Sequence, residues 1–577
     1  MEYNIRIAGE AGQGVQSAAV ILGKAALRSG FHVYGYMDVE SRIRGGLNFA
    51  HMRISSTDEE GVRSDYGILM ALSSEAVDAF CENLWEDGVL ISSHGRDHVN
   101  RMPVNIEEIA RNAGAKAAVS TVGVSCVCAL IGIDQDVVSK LLNEKFSDRR
   151  KILEINLTAM RAAYEAAGQT KREKHRSLPL WDTARKDRLF LTGHEAVALG
   201  AVAGGVSFVT GYPMSPATGI LNDIAKWSRN TGIVMEQAED EIAAVNMLAG
   251  ASYAGARVMT ATSGGGFCLM TEGVSLIGMI EVPAVIVIAQ RPGPATGLPT
   301  KTAQGDLHLV LHAGHGFFPR VILAPQNIHD CFEITARAFD IAEKYQVPVF
   351  VLTDQLLQDS FASLTEPRTD QLPGERHLLD ARTLDAMKTY RRYENTDSGI
   401  SPMAIPGLSR HVVVVDSDEH DENGHLIEDA ITAGKMTRKR LRKADTVSRA
   451  HILTAPVIEG DEDSEHLFIS WGSSYETVKE TLNRLRQRGA CCAHLNLRQL
   501  WPLDAEVLGR IWDCYEGVTI IENNVTGELC TLLETELKRT PDNLIKQVDG
   551  RPFSVQNLTD AVSDIVNVRS VGGGEKK

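Results

Sequence analysis

The chain has 577 residues, of which 44% are apolar and 23% charged; this is ordinary for a globular protein, excludes wholesale disorder and is too long for one hydrophobic core. Its 59 Lys and Arg stand against 75 Asp and Glu, a formal charge of −16, the wrong sign for a nucleic-acid coat. Any anionic ligand must be held by local positive groups.

At about 150 residues per compact unit, the length predicts three or four units. The first, residues 1–168, opens with the strand-like YNIRIAG, a glycine turn and the helix-like VQSAAVILGKAALRSG, the βα start of a nucleotide-type α/β unit. Further apolar strands, GILMAL near 67–72 and GVLISS near 88–93, alternate with helical stretches, which predicts a mostly parallel sheet. The N-terminus lacks the basic start, long apolar run and cleavage site of a secretion signal, so the reading is cytoplasmic. The polar, basic stretch 169–189 reads as a linker.

The unit at 190–365 contains the strands RVMTATS, PAVIVIAQ, RVILAP and PVFVLTD, continuous β-branched runs expected of strands covered on both faces. Its longest apolar stretch, Gly273 to Gln290, is broken by Glu281 and Pro283 and reads as a core helix followed by a strand, with no membrane span. A connecting segment, 366–455, is rich in Pro, Asp and charge. The run KMTRKRLRK at 435–443 is expected to be a solvated helix face, with an acidic-partner contact as the alternative. A last α/β unit covers 456–565, and the tail VGGGEKK is expected to fray.

The nine cysteines form no C-x-x-C pair, so no zinc ribbon or cluster-binding run is visible and no metal site is assigned to this chain. Cys126 and Cys128 read as buried thiols. Whatever redox chemistry exists, this chain is not expected to carry the electrons.

Glycine-rich turns after strands are where ligands sit in open α/β sheets. Gly9-Glu-Ala-Gly12-Gln-Gly14 can turn backbone N–H groups at a helix start towards an anion, and Arg44 in Ser41-Arg-Ile-Arg44-Gly45-Gly46 adds a planar cation; together they could cradle a phosphorylated ligand such as coenzyme A. A purely structural turn is the competing reading. In the central unit, Tyr212-Pro213-Met-Ser215-Pro216, the acidic Glu236, Glu239, Asp240 and Glu241, Thr262-Ser263-Gly264-Gly265-Gly266, and Arg291 to Thr300 and Lys301 each follow a strand-like run. One reading of the acidic group is a helix cap; on the other, a member entering an apolar pocket becomes a tuned acid or base. Arg291, Thr296, Thr300 and Lys301 supply donors suited to an oxoacid carboxylate. Four such loops in a row predict a shared crevice.

These residues carry a resemblance. YPMSP, EDEIAAVNMLAGASYAG, TATSGGG and RPGPATGLPT resemble the α subunit of 2-oxoacid:ferredoxin oxidoreductases, most closely the 2-oxoglutarate type. GEAGQGV with SRIRGG is similar to the γ domain of those enzymes, fused ahead of α; the last unit, with WPL and IENNVTGEL, is similar to their transketolase C-terminal-like domain. The resemblance implies three α/β domains with mostly parallel sheets: a γ domain, a thiamine-diphosphate pyrimidine-binding domain and the C-terminal-like domain.

It also implies oxidative decarboxylation of a 2-oxoacid with acyl transfer to coenzyme A, or the reverse CO2-fixing reaction. In the family a glutamate hydrogen-bonds the aminopyrimidine of thiamine diphosphate and promotes the imino tautomer that deprotonates the thiazolium carbon. Glu241, nine residues before Gly250, matches it, with Glu239 in reserve. By the same resemblance Ser215, Arg291, Thr300 and Lys301 bind substrate, while Tyr212, Pro213, Thr262, Ser263, Gly264, Gly12, Gly14 and Arg44 bind cofactor.

The family's metal–diphosphate signature, G-D-G followed by N-N, is not found: Asn523-Asn524 precede the nearest candidate, Asp549-Gly550. The implied partner is a β subunit that anchors thiamine diphosphate through Mg2+ and carries a [4Fe–4S] cluster, with ferredoxin as acceptor and a dimer of heterodimers as the assembly. Pyruvate, branched-chain and aryl-pyruvate substrates remain alternatives. So does a non-catalytic coenzyme-binding scaffold, whereas an NAD-dependent dehydrogenase is disfavoured by the missing dinucleotide fingerprint.

Overall fold

The computed structural model describes residues 2–40, 45–97, 99–168, 188–372, 374–450, 452–453, 456–460 and 463–566. The expected linker up to residue 187, Arg44 and the C-terminal tail lie outside the described residues. The fold is α/β, and the described residues form three sheets in two compact units.

The first unit is built from Met1–Thr192, Asp359–Glu366 and Ser554–Leu558. Its seven-stranded sheet runs in the order Leu84–Ile91, Tyr66–Ala71, Glu2–Glu10, Leu47–Ser55, His32–Val39, Ser360–Thr365, Arg188–Thr192. The predicted strands near 67–72 and 88–93 are both present and run parallel to Glu2–Glu10 on one side. On the other side the pairing is antiparallel. The connection between His32–Val39 and Leu47–Ser55 is too short for the crossover a parallel pair needs, so those two strands must form a hairpin. Two strands from beyond residue 168 complete the sheet. Cys126 and Cys128 lie buried on the helix Val119–Ile131, where burial pushes both thiols up to about 12 and leaves them unreactive.

The second unit holds the other two sheets around one continuous apolar core that takes in Phe350 and Leu352 from one and Ile469, Trp471 and Ile520 from the other. The larger has the order Gln499–Trp501, Val321–Leu323, Pro348–Asp354, Ala284–Gln290, Val258–Thr262, Phe208–Gly211, Val234–Gln237, and only its Gln499–Trp501 edge is antiparallel. All seven residues of Ala284–Gln290 are buried, as an apolar run covered on both faces requires. The smaller sheet runs Ile458–Gly460, Cys492–Leu497, His466–Trp471, Gly517–Glu522, Asn543–Lys546, again with one antiparallel edge. Among the described residues no helix is long and apolar enough to cross a membrane. The stretch read as helix then strand is the helix Gly264–Met279 followed by Ala284–Gln290.

The buried members of the basic run at 435–443 correct the reading of a solvated helix face. The run lies on the helix Ala430–Ser448, with Lys439, Arg440 and Lys443 buried. Lys439 Nζ donates to Glu281 Oε1 and Oε2 at 2.7 and 2.9 Å, Lys443 pairs with the same carboxylate, and Arg440 pairs with Glu419. These three charges answer acids of its own chain, while Arg438 stays exposed. Burial would raise the Glu281 carboxyl, but Lys443 and Lys439, with Arg392 nearby, hold it well below the usual carboxylate range.

Candidate active site

Because Phe208–Gly211, Val234–Gln237, Val258–Thr262 and Ala284–Gln290 are mutually parallel, the loops that follow them leave one edge of the sheet. That edge gathers the central unit's candidate residues. The turn Thr262 to Gly266 joins the strand Val258–Thr262 to the helix Gly264–Met279, with Ser263 as N-cap. Glu241 is the first residue of the helix Glu241–Tyr253. Capping belongs to Asp240, whose Oδ1 accepts from the Ala243 N–H at 2.7 Å, so Glu241 is left to point inward.

Glu241 is 2% exposed, and its Oε1 has no hydrogen-bond partner among the described residues. A Cβ built on Gly266 would fall 2.5 Å from that oxygen and 2.2 Å from Thr262 Oγ1, itself buried without a partner among the described residues. A side chain at 266 would therefore have to displace both oxygens. Burial pushes the Glu241 carboxyl up, a backbone hydrogen bond opposes this, and the Asp240 charge adds to the rise. A dry carboxyl with an unused oxygen suits a ring nitrogen that accepts or shares its proton. Glu239, the reserve choice, is exposed and does not enter this pocket.

Ser215 and Arg291 are brought together: Arg291 Nη1 donates to the Ser215 carbonyl at 2.7 Å, which braces the YPMSP loop against the loop after Ala284–Gln290. Burial lowers Arg291 somewhat and the Asp306 charge opposes it; the guanidinium remains a cation. Tyr212 and Pro213 are exposed at the rim, Thr300 is buried and Lys301 half-buried further along the Arg291 loop. Gly12 and Gly14 belong to the first unit. Both have left-handed backbone, and Gly14 caps the helix Val15–Arg28. They line a cavity of about 670 Å3 that also presents Lys116, Lys145 and Arg149. The Gly14 turn thus faces the cations an anionic ligand would need.

Three buried positions near this edge escaped the sequence reading. Gln304 is fully buried; its Nε2 donates to the Trp471 carbonyl at 2.7 Å, and its Oε1 accepts from Ser474 Oγ at 3.0 Å and the Asn523 N–H at 2.8 Å. Asn524 Nδ2 donates to the Gln304 carbonyl at 3.0 Å. The isolated Asn523-Asn524 pair therefore locks the Arg291–Asp306 segment to the C-terminal sheet. Asp306, at the end of that segment, packs on Gly264. Glu528 receives the His308 N–H on Oε2 at 3.0 Å and its charge is felt by Asp306. No local signal in the sequence marks these residues, since Gly-Asp-Leu reads as an ordinary helix cap.

Residues 199–439 match the model of the pyruvate flavodoxin/ferredoxin oxidoreductase thiamine-diphosphate-binding family, residues 4–166 that of pyruvate ferredoxin/flavodoxin oxidoreductase, and residues 464–558 that of pyruvate:ferredoxin oxidoreductase core domain II. The chain is 31% identical to the 2-oxoglutarate synthase subunit KorA of Methanocaldococcus jannaschii, over 65% of this chain and 98% of that protein.

This chain belongs to the 2-oxoacid:ferredoxin oxidoreductase family.

It is a 2-oxoacid:ferredoxin oxidoreductase subunit of the α type with a γ-type domain at its N-terminal side. It is 28% identical to the 2-oxoacid:ferredoxin oxidoreductase 2 α subunit of Aeropyrum pernix, over 98% of each chain. Among solved structures it is similar to the 2-oxoglutarate:ferredoxin oxidoreductase of Magnetococcus marinus, with a TM-score of 0.90 and 29% identity over 98% of this chain and 99% of that one; that enzyme was solved with 2-oxoglutarate, coenzyme A and succinyl-CoA bound. As a 2-oxoacid:ferredoxin oxidoreductase, the chain has the fold its four strand-end loops require.

Proposed function

We propose that this chain acts with a β subunit to convert 2-oxoglutarate and coenzyme A to succinyl-CoA and CO2, with electrons passing to ferredoxin, or runs that reaction in reverse. The observation that carries the reading is Glu241: a buried carboxyl with an unsatisfied oxygen at the carboxyl edge of a parallel sheet. Its orphaned Oε1, close against Gly266, fits one end of an aminopyrimidine ring. Bound thiamine diphosphate would supply the electron-accepting centre for decarboxylation. Glu241 holds a proton at Oε1 for that ring, and Thr262, Ser263 and Gly264 shape the wall beside it, with Tyr212 and Pro213 at the rim.

Arg291 binds the oxoacid carboxylate, oriented by its hydrogen bond to the Ser215 carbonyl. The Ser215 hydroxyl, Thr300 and Lys301 complete the polar contacts to the substrate. The preference for 2-oxoglutarate is supported by the likeness to enzymes named for that substrate in Methanocaldococcus jannaschii and Magnetococcus marinus. Coenzyme A is assigned to the cavity at Gly12 and Gly14, where Lys116, Lys145 and Arg149 suit its phosphates. The β subunit would hold Mg2+ and a [4Fe–4S] cluster, in a cytoplasmic dimer of heterodimers.

The purified complex, assayed for coenzyme A-dependent ferredoxin reduction with a panel of 2-oxoacids, is expected to give its highest kcat/KM with 2-oxoglutarate. A higher value with pyruvate, a branched-chain or an aryl-pyruvate substrate would replace that assignment.

A further inference from the structure

One cavity of the second unit takes no part in the reaction described so far. It measures about 360 Å3 and is walled by the helix Leu307–His312 with the turn after it, the edge strand Gln499–Trp501 and the helix Glu528–Leu537. Arg320, just ahead of the strand Val321–Leu323, lines it as well. A cavity of this size is at the low end of the range for small-molecule sites.

Arg320 is 8% exposed. Its Nη1 donates to the Val310 carbonyl at 2.7 Å, and its guanidinium carbon stands 4.4 Å from the centroid of the Phe318 ring, so the group is held in place. It has no ion pair and no further hydrogen bond among the described residues. Glu536, the acid in the cavity wall, is exposed and likewise has no ion pair among them. Burying a cation without a counter-charge is costly, and the other buried cations of this unit avoid it. Arg257, Lys439, Arg440 and Lys443 each meet a carboxylate, and Arg392 gives Nη1 and Nη2 to the oxygens of Gln346 and Glu281. Arg320 has one carbonyl and a cavity. Burial pulls it down to about 10 with no acid opposing.

The rest of the wall suits an anion carried on a flat body. His308 spends ring Nε2 on the Glu528 carbonyl at 2.9 Å, which fixes its imidazole. His312, one turn on with its ring centroid 6.2 Å from that of His308, is exposed and makes no hydrogen bond to the described residues, so its N–H is open to a ligand. Trp501 and the exposed Phe317 add planar apolar surface. Because Arg320 has already given an N–H to Val310, a second donor on another element favours an oxyanion that can turn oxygens towards both, as a tetrahedral phosphate does. We propose that this cavity binds a phosphate group, free or carried by a nucleoside monophosphate, with Arg320 as its cation and His312 as its second donor.

The test uses the full chain with the proposed β subunit. Binding of radiolabelled inorganic phosphate, and separately of AMP, is measured by equilibrium dialysis with coenzyme A present to fill the cavity at Gly12 and Gly14. The wild type is expected to bind one equivalent per chain at millimolar phosphate, and Arg320→Met, similar in length and uncharged, to bind it about tenfold or more weakly. Tighter binding of AMP than of inorganic phosphate assigns the site to a nucleoside monophosphate, and equal affinity assigns it to the free ion; either upholds the phosphate site. No saturable binding by the wild type, equal binding by Arg320→Met, or displacement by equimolar acetate would overturn it. His312→Ala, a substitution of an exposed side chain, keeps the test decisive where loss of Arg320 unfolds the chain: a several-fold loss of affinity is expected, and unchanged affinity overturns the proposal.

Discussion

A carboxyl group shut away from water with an oxygen that nothing satisfies costs free energy, and Glu241 is such a group. Replacing it with Gln keeps size and hydrogen bonding but removes the transferable proton. Glu241→Gln in the assembled complex is expected to lower turnover by about 10²–10⁴-fold with the melting temperature preserved; a variant as active as wild type would make the residue structural. Arg291→Ala should raise the KM for the oxoacid by an amount equivalent to about 2–5 kcal/mol, because it strips the charge from a desolvated pair, and steady-state kinetics read this directly. Both residues were reachable from the sequence because the resemblance fixed their positions. Asp306 was not: a Gly-Asp-Leu cap looks the same whether its carboxylate faces water or the start of another helix, and only the contact with Gly264 distinguishes the cases.

At the scale of elements, the segment from Arg291 to Asp306 has little secondary structure and takes its shape from Gln304. Gln304→Ala leaves the Trp471 carbonyl and the Asn523 N–H unpaired in the interior, at about 1–3 kcal/mol for each. The expected result is a lower melting temperature together with a raised KM for the oxoacid and a smaller effect on kcat, read by calorimetry and steady-state kinetics. An unchanged KM in the folded variant would mean that the lock does not shape the site. The strands of the second unit were legible because continuous apolar runs leave little else for those residues to do. The strands Ser360–Thr365 in the first sheet and Gln499–Trp501 in the second were not, since pairing with His32–Val39 or Val321–Leu323 leaves no trace in the local pattern. The antiparallel half of the first sheet follows instead from the length of one connection.

For the molecule as a whole, the buried cluster of Glu281, Lys439 and Lys443 joins the central sheet's surroundings to the connecting segment. With all three side chains at most 2% exposed, Glu281→Gln leaves two buried ammonium groups without their counter-charge and is expected to cost about 3–5 kcal/mol, read from denaturant unfolding. The depressed Glu281 carboxyl also sets a sign. Its contribution is fully present above the unfolded carboxylate range and is lost only as pH falls through its lower folded value, so mild acid should leave this part of the chain intact. A run of alternating Lys and Arg gives no hint of this, because its partner Glu281 lies over 150 residues away and sits in a turn with left-handed backbone.

The most direct test is a structure of this chain in complex with the proposed β subunit and thiamine diphosphate. The account predicts the aminopyrimidine within hydrogen-bond reach of Glu241 Oε1, beside Gly266. A ring seated elsewhere, with Glu241 still facing only its own chain, would contradict it.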